Sequence, residues 1–181
     1  MSDYLQRQTR TIGLSTIVSI LCFLMMPSKI LANELNNQSA IVKMAHSGFS
    51  QKDISLSLSF ATQAQEREKD DIARGQLNWG ALAKMWCEAA LYTPIPELLT
   101  ECARARFGAI FEFSNPTPSI EAVRRNQLDH SLILVRAALE IAGGSITVSD
   151  ELREQMSKDA NCIRSLIDGT AKLSNCRAPY Q

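Results

Sequence analysis

The 181-residue chain lacks an excess of positive charge, because its 19 lysines and arginines are balanced by 19 aspartates and glutamates. A protein that holds DNA or RNA by its phosphates normally carries a concentrated positive field. The charge balance therefore argues against nucleic acid as a partner.

Histidine is scarce as well, with only His46 and His130, and no two cysteines lie close together in the sequence. Zinc sites draw on cysteines and histidines in closely spaced pairs, so we predict no metal site. Reactive dithiols typically carry a Cys-x-x-Cys motif, which is missing, so the sequence predicts no reactive thiol. We also predict no cofactor.

No arrangement of catalytic residues stands out in the chain. Asp129, His130 and Ser131 are adjacent, but neighbouring residues on a helix point in different directions and do not form a triad. Arg67 and Asp71 have the i,i+4 spacing of a solvated helix face. We therefore predict a protein that is not an enzyme, and keep an uncharacterised secreted enzyme as a second alternative.

The first 32 residues have the pattern of a cleavable export signal. Arg7 and Arg10 precede an apolar run over residues 12–26, and Ala32 is a small residue before a polar stretch. This run has 15 residues, whereas crossing a bilayer takes about 20. We therefore expect a secreted or periplasmic protein, with a permanent membrane anchor formed by residues 12–26 as the alternative.

Cleavage after residue 32 would leave residues 33–181, a length suited to a single domain. The signal removes three of the 19 basic residues and one of the 19 acidic residues, so 16 and 18 remain. We predict one helical domain with two disulfides in this part of the chain.

Four cysteines follow the predicted signal, and an even number in an exported chain indicates two disulfides. The midpoint between Cys87 and Cys102 falls in the Pro-rich turn 93–96, and the midpoint between Cys162 and Cys176 falls in an Asp-Gly turn signal. A reversal halfway between two cysteines brings them together. These two pairs are therefore favoured over the other two connectivities, and each closed loop adds about 3 kcal/mol in the chain-entropy picture.

Apolar periodicity predicts an all-α fold of five or six helices arranged in antiparallel hairpins. Helix-start signals occur at Ser50 with Asp53, and at Thr117 before a proline. The main predicted helices run over about 51–73, 77–92, 96–111, 118–142 and 149–167.

Residues 54–60 carry a conflicting signal, because apolar residues alternate there with serines in the period of a β-strand. Read as a helix, the same segment gives a stripe of Ile54, Leu58, Ala61 and Ala64. The only other alternating segment is 145–148. A helix is favoured, and one short β pair stays open.

Trp79, Leu82, Ala83 and Trp86 resemble the first helix of a tetratricopeptide repeat. In that motif a small residue lets two helices approach closely while aromatic side chains fill the gaps. The next helix matches less well, and no second copy lies 34 residues away. The resemblance covers about 30 residues, from Trp79 to Phe107.

This resemblance implies α-α packing and a scaffold that binds a protein or peptide on a concave helical surface. Trp79, Trp86 and Tyr92 are the aromatic residues that such a surface would present, although core packing is the favoured interpretation of the two tryptophans. The alternative is a small disulfide-stapled periplasmic inhibitor or immunity-type protein. An inhibitor would project a loop, which we place at residues 114–119.

We expect the exported protein to start near Asn33 and to have a mass about four hydrogens lower than the fully reduced chain. Intact-mass analysis before and after reduction measures both values. Four thiols open to alkylation without reduction would contradict the disulfide scheme.

Overall fold

A computed structural model describes Met44 and residues 47–112, 117–144 and 148–176. The chain divides into two compact units, residues 1–46 and 47–181. The predicted signal, with its cleavage point and the alternative anchor segment, lies outside the described residues.

The described part of the second unit contains five α-helices, two short 3-10 helices and no strand. The all-α prediction is confirmed, and the helix ends agree with the predicted ones to within about two residues. The 3-10 helices cover Ile110–Glu112 and Leu173–Asn175. The α-helices are α1 (Gln51–Ala73), α2 (Trp79–Tyr92), α3 (Pro96–Ala109), α4 (Pro118–Gly143) and α5 (Asp150–Ile167).

Local side-chain caps explain where the helices begin. The Ser50 hydroxyl accepts a hydrogen bond from the Asp53 amide at 3.1 Å and donates one to the Asp53 carboxylate at 2.6 Å. Asn78, Thr117 and Ser149 cap α2, α4 and α5 in the same way, each accepting from an amide three residues ahead. A cap needs only residues within one turn, which is why the sequence located the starts at Ser50, Thr117 and Ser149, whereas the Asn78 cap places the start of α2 two residues after the predicted one.

Within the second unit, the extensive helix contacts join consecutive helices, from α1–α2 through to α4–α5. Short connections make such neighbours antiparallel. The predicted packing of antiparallel helical hairpins is therefore present.

The alternating segment 54–60 lies entirely within α1, so the strand option for these residues is wrong. The buried stripe runs through Ile54, Ser57, Ala61 and Ala64, with Ser57 in place of the expected Leu58. Burial of Ser57 is tolerated because its hydroxyl donates to the Ala89 carbonyl at 2.9 Å. The other alternating residues, 145–147, are outside the described part.

Both predicted disulfides are present. Cys87 and Cys102 join α2 to α3 with a Cα–Cα distance of 4.6 Å, and Cys162 and Cys176 join α5 to the following segment with a distance of 5.9 Å. Disulfides are typical of oxidising compartments outside the cytoplasm. Among the described residues, no helix combines the length and apolarity needed to span a bilayer.

The contact between the start of α2 and the end of α3 depends on the lack of a side chain at Gly108. A Cβ at this position would lie 2.3 Å from Cδ2 of Trp79, well inside van der Waals contact. Only a glycine lets the buried indole rest against the backbone of α3. This contact holds the first residue of α2 in the core.

We expect Gly108→Ala to lower the free energy of unfolding by about 1–3 kcal/mol, because the added methyl group overpacks the Trp79 contact. Gly143→Ala is the matched control, since a Cβ there meets nothing within 4 Å and alanine favours the helix by up to about 1 kcal/mol. Urea unfolding of the two variants and the parent measures the difference. Equal stability of Gly108→Ala and the parent would contradict the assigned contact.

Candidate functional site

A polar cleft of about 650 Å³ opens where the end of α1, the start of α2 and the 3-10 helix Ile110–Glu112 meet. Its lining is mostly charged or amide side chains and is formed by Arg67, Asp71, Arg74, Gln76, Leu77, Asn78 and Glu112. The cleft is the first candidate site.

Asp71 is the buried group of this cleft, with 1% of its surface exposed. Its Oδ1 lies 3.0 Å from Arg67 Nε and 2.6 Å from Arg74 Nη2, and its Oδ2 accepts from the Asn78 amide at 3.0 Å. The expected Arg67–Asp71 pair is present, but the prediction of a solvated face is wrong for Asp71. The turn that follows α1 brings the Asn78 amide over the carboxylate and covers it.

Burial by itself would raise the pKa of Asp71, but the hydrogen bonds from Asn78, Arg67 and Arg74 outweigh it and hold the pKa below its usual range. A lowered folded-state pKa means that this group stabilises the fold at neutral pH. That contribution disappears as the pH falls through the folded-state pKa. Asp71 therefore acts as a structural joint between α1 and α2.

Glu112 occupies the positive N-terminal end of α2. Its Oε1 accepts hydrogen bonds from the backbone amides of Trp79 and Gly80, the second at 3.4 Å. The amides that could bind an external anion are thus held by a carboxylate of the chain itself. Arg67 and Arg74 are both paired to Asp71. The charged side chains of the cleft therefore bond within the protein and connect α1, α2 and the 3-10 helix.

A second group of charges surrounds Arg104 on α3. Arg104 Nη1 lies 3.3 Å from Oε1 of Glu101 on the same helix. Its charge also opposes the rise in pKa that burial causes at Glu68 on α1 and at Asp159 on α5. Arg104 therefore acts electrostatically on carboxylates of three helices, and we call the set of Glu68, Glu101, Arg104 and Asp159 the Arg104 face.

Two carboxylates of this face, Glu68 and Asp159, are poorly compensated. Burial raises the pKa of Glu68, repulsion by Glu101 adds to the rise, and Arg104 offsets only part of it. Burial also raises the pKa of Asp159, despite a 2.7 Å hydrogen bond from Gln155 and the charge of Arg104. Three carboxylates and one guanidinium carry a net charge of −2 when all are ionised. The ionised Glu68 and Asp159 thus destabilise the fold.

The aromatic residues proposed for partner binding lie mostly inside the protein. Trp79 and Trp86 are 8% and 5% exposed and pack in the core, so they are not presented on an open groove. Tyr92 is half-buried, and its ring stacks on Phe60 with centroids 6.0 Å apart. The four cysteines form the two disulfides described above.

The adjacent Asp129, His130 and Ser131 do not converge. Asp129 pairs with Arg125 at 3.5 Å, the His130 ring contacts the Asn126 carbonyl at 3.0 Å, and Ser131 is fully buried. In the described part of the chain, no cluster of histidine, cysteine and acidic residues could hold a metal ion. Half of the proposed projecting loop, residues 114–116, lies outside the described residues, and residues 117–119 form the cap and the first turn of α4.

Comparison with known proteins gives no match to a family model, to a curated protein or to a solved structure. The resemblance to tetratricopeptide repeats therefore stays a hypothesis.

We expect Glu68→Gln and Asp159→Asn each to raise the free energy of unfolding at pH 7. Both carboxyls have raised folded-state pKa values, so their stabilising contribution exists at low pH and is lost as the pH rises through those values. Partial exposure screens the charges, which limits each gain to about 1 kcal/mol or less.

Urea unfolding at pH 7 and at pH 3.5 measures the free energy of unfolding of each variant and of the parent. The gain should be present at pH 7 and smaller at pH 3.5, because protonation of the parent carboxyls removes the unfavourable charges. A variant that is less stable than the parent at pH 7 would contradict the assignment of these charges as destabilising.

Proposed function

We propose that this protein is an exported, non-enzymatic helical module that binds a protein or peptide partner on the Arg104 face. The observation that carries the proposal is the electrostatic effect of Arg104 on carboxylates of α1 and α5, beside its 3.3 Å ion pair with Glu101 on α3. Burial disfavours the ionised forms of Glu68 and Asp159, and Arg104 offsets this only in part.

Residues that a fold keeps against its own stability are typical of functional surfaces. Glu68 and Asp159 fit this description, because replacing either by an apolar or amide side chain would remove an unfavourable buried charge. Asp71 is the contrasting case, since its carboxylate is fully paired and stabilises the fold. The comparison supports a binding role for the first two residues and a structural role for the third.

The chemistry of the partner follows from the net charge of the face. A lysine or arginine side chain brought by the partner would neutralise the carboxylates that Arg104 leaves uncompensated. The negative charge of the Arg104 face would then be neutralised only when the partner is bound. We therefore propose a partner segment with a basic residue at its centre.

The predicted signal and the two disulfides support export to an oxidising compartment. The tetratricopeptide-like residues of α2 support a scaffold role, because packed helical hairpins in that family serve protein binding. Together these features favour a scaffold over an enzyme.

The test is capture of a partner from the exported protein fraction by the immobilised mature protein. We compare the parent with the double variant Glu68→Gln/Asp159→Asn and with the control Glu121→Gln, whose carboxylate is 68% exposed on α4. The parent and the control should retain the same protein, and the double variant should retain about tenfold less because two interface charges are lost.

Because the double variant is expected to be more stable than the parent, its loss of binding cannot result from unfolding. Equal capture by all three proteins would contradict the assignment of the Arg104 face. Recovery of no specific protein by the parent would contradict the binding role as a whole. The activity of the captured protein, alone and in the complex, separates a scaffold from an inhibitor.

A further inference from the structure

The two sulfur atoms of the Cys87–Cys102 disulfide have different surroundings. Cys87 on α2 is partly exposed, whereas Cys102 on α3 is 2% exposed. The Nε of Arg106 points a hydrogen at Cys87 Sγ over a distance of 3.3 Å. The more exposed cysteine of the pair is therefore also the one in contact with a positive charge.

The guanidinium of Arg106 is held in this position from a third helix. Its Nη1 donates to Oε1 of Gln127 on α4 at 3.1 Å, and the contact is partly buried. A charge fixed in a partly buried site acts more strongly on a neighbouring ion than the same charge in water. Lysine or arginine beside a cysteine stabilises its thiolate, the reactive form of the residue.

From these contacts we propose that Cys87–Cys102 is a redox-active disulfide, with Cys87 as the site of exchange with a dithiol reductant. The sequence has no Cys-x-x-Cys motif and by itself predicts no reactive thiol. The fold supplies the activating charge instead, through Arg106, 19 residues away from Cys87. This inference does not depend on the proposed binding function.

The exchange proceeds in two balanced steps. A thiolate of the dithiol attacks Cys87 Sγ, the bond to Cys102 breaks, and Cys102 leaves as a thiolate that takes a proton from water. The second thiol of the reductant then loses its proton to water and attacks the reductant sulfur of the mixed disulfide. The bond to Cys87 breaks, and Cys87 is released as a thiolate beside Arg106. Two electrons pass from the dithiol, which becomes a disulfide, to the cysteine pair.

The second disulfide of the protein provides an internal comparison. Its cysteines are 14 residues apart, against 15 for the first pair, so the chain entropy of loop closure is nearly the same. Among the residues that the structure describes, no guanidinium donates a hydrogen bond to Cys162 or Cys176, in contrast to Cys87. Any effect of Arg106 should therefore be confined to the first pair.

The first measurement is the redox equilibrium of the oxidised mature protein with mixtures of reduced and oxidised dithiothreitol at pH 8. Free thiols are trapped by alkylation, and the Cys87 and Cys162 peptides are quantified by mass spectrometry. Arg106→Gln should lower the equilibrium constant for reduction of Cys87–Cys102 by about tenfold, because the thiolate loses its partner charge. Arg106→Lys should keep most of the parental value, and Cys162–Cys176 should not change.

The second measurement is the alkylation rate of Cys87 in the reduced parent at pH 7. We expect Cys87 to react about tenfold faster in the folded protein than in urea, and faster than Cys102. Circular dichroism of each variant establishes that it is folded. An Arg106→Gln variant with the parental equilibrium, or a Cys87 that reacts no faster than in urea, would show that the disulfide is purely structural.

Discussion

The contact between α2 and α3 is the interaction on which the rest of the helical unit depends. Near the start of α2 the indole of Trp79 rests on Gly108, and in its second half Cys87 is bonded to Cys102. Helix α1 packs on α2, and helix α4 packs on α3. The Trp79–Gly108 contact and the disulfide thus fix the α2–α3 hairpin, and this hairpin positions α1 and α4.

The buried polar groups of this unit differ in their effect on the stability of the fold. Ser57 and Asp71 are hydrogen-bonded within the fold. Their hydrogen bonds connect α1 to α2 and to the Asn78 cap that precedes α2. Burial disfavours the ionised forms of Glu68 and Asp159, and the charge of Arg104 offsets this only in part. The difference lies in the supply of donors, because a buried carboxylate stabilises a fold only when amides or cations compensate its lost hydration. This contrast directs attention to the Arg104 face as the surface that a partner would complete.

The helix boundaries and the disulfide pairing were predictable because they depend on short-range interactions. A cap such as Ser50 or Thr117 acts within one turn of its own helix. A turn halfway between Cys87 and Cys102 brings the two residues together whatever the remaining chain does. The environments of the charged residues were not predictable in this way. Arg67 and Asp71 have the same spacing in a solvated pair as in a buried one, and only the position of Asn78 decides between them.

The sequence by itself therefore determined the five helices of the described part of the chain, their limits and the pairing of Cys87, Cys102, Cys162 and Cys176, since each follows from contacts along one turn or one hairpin. Only the tertiary structure decided that Trp79 and Trp86 fill the core, that the charge of Arg104 acts on Glu68 of another helix, and that Arg106 lies against Cys87. Those arrangements join residues on different helices. No periodicity or spacing records them, because they arise from how the helices pack against one another.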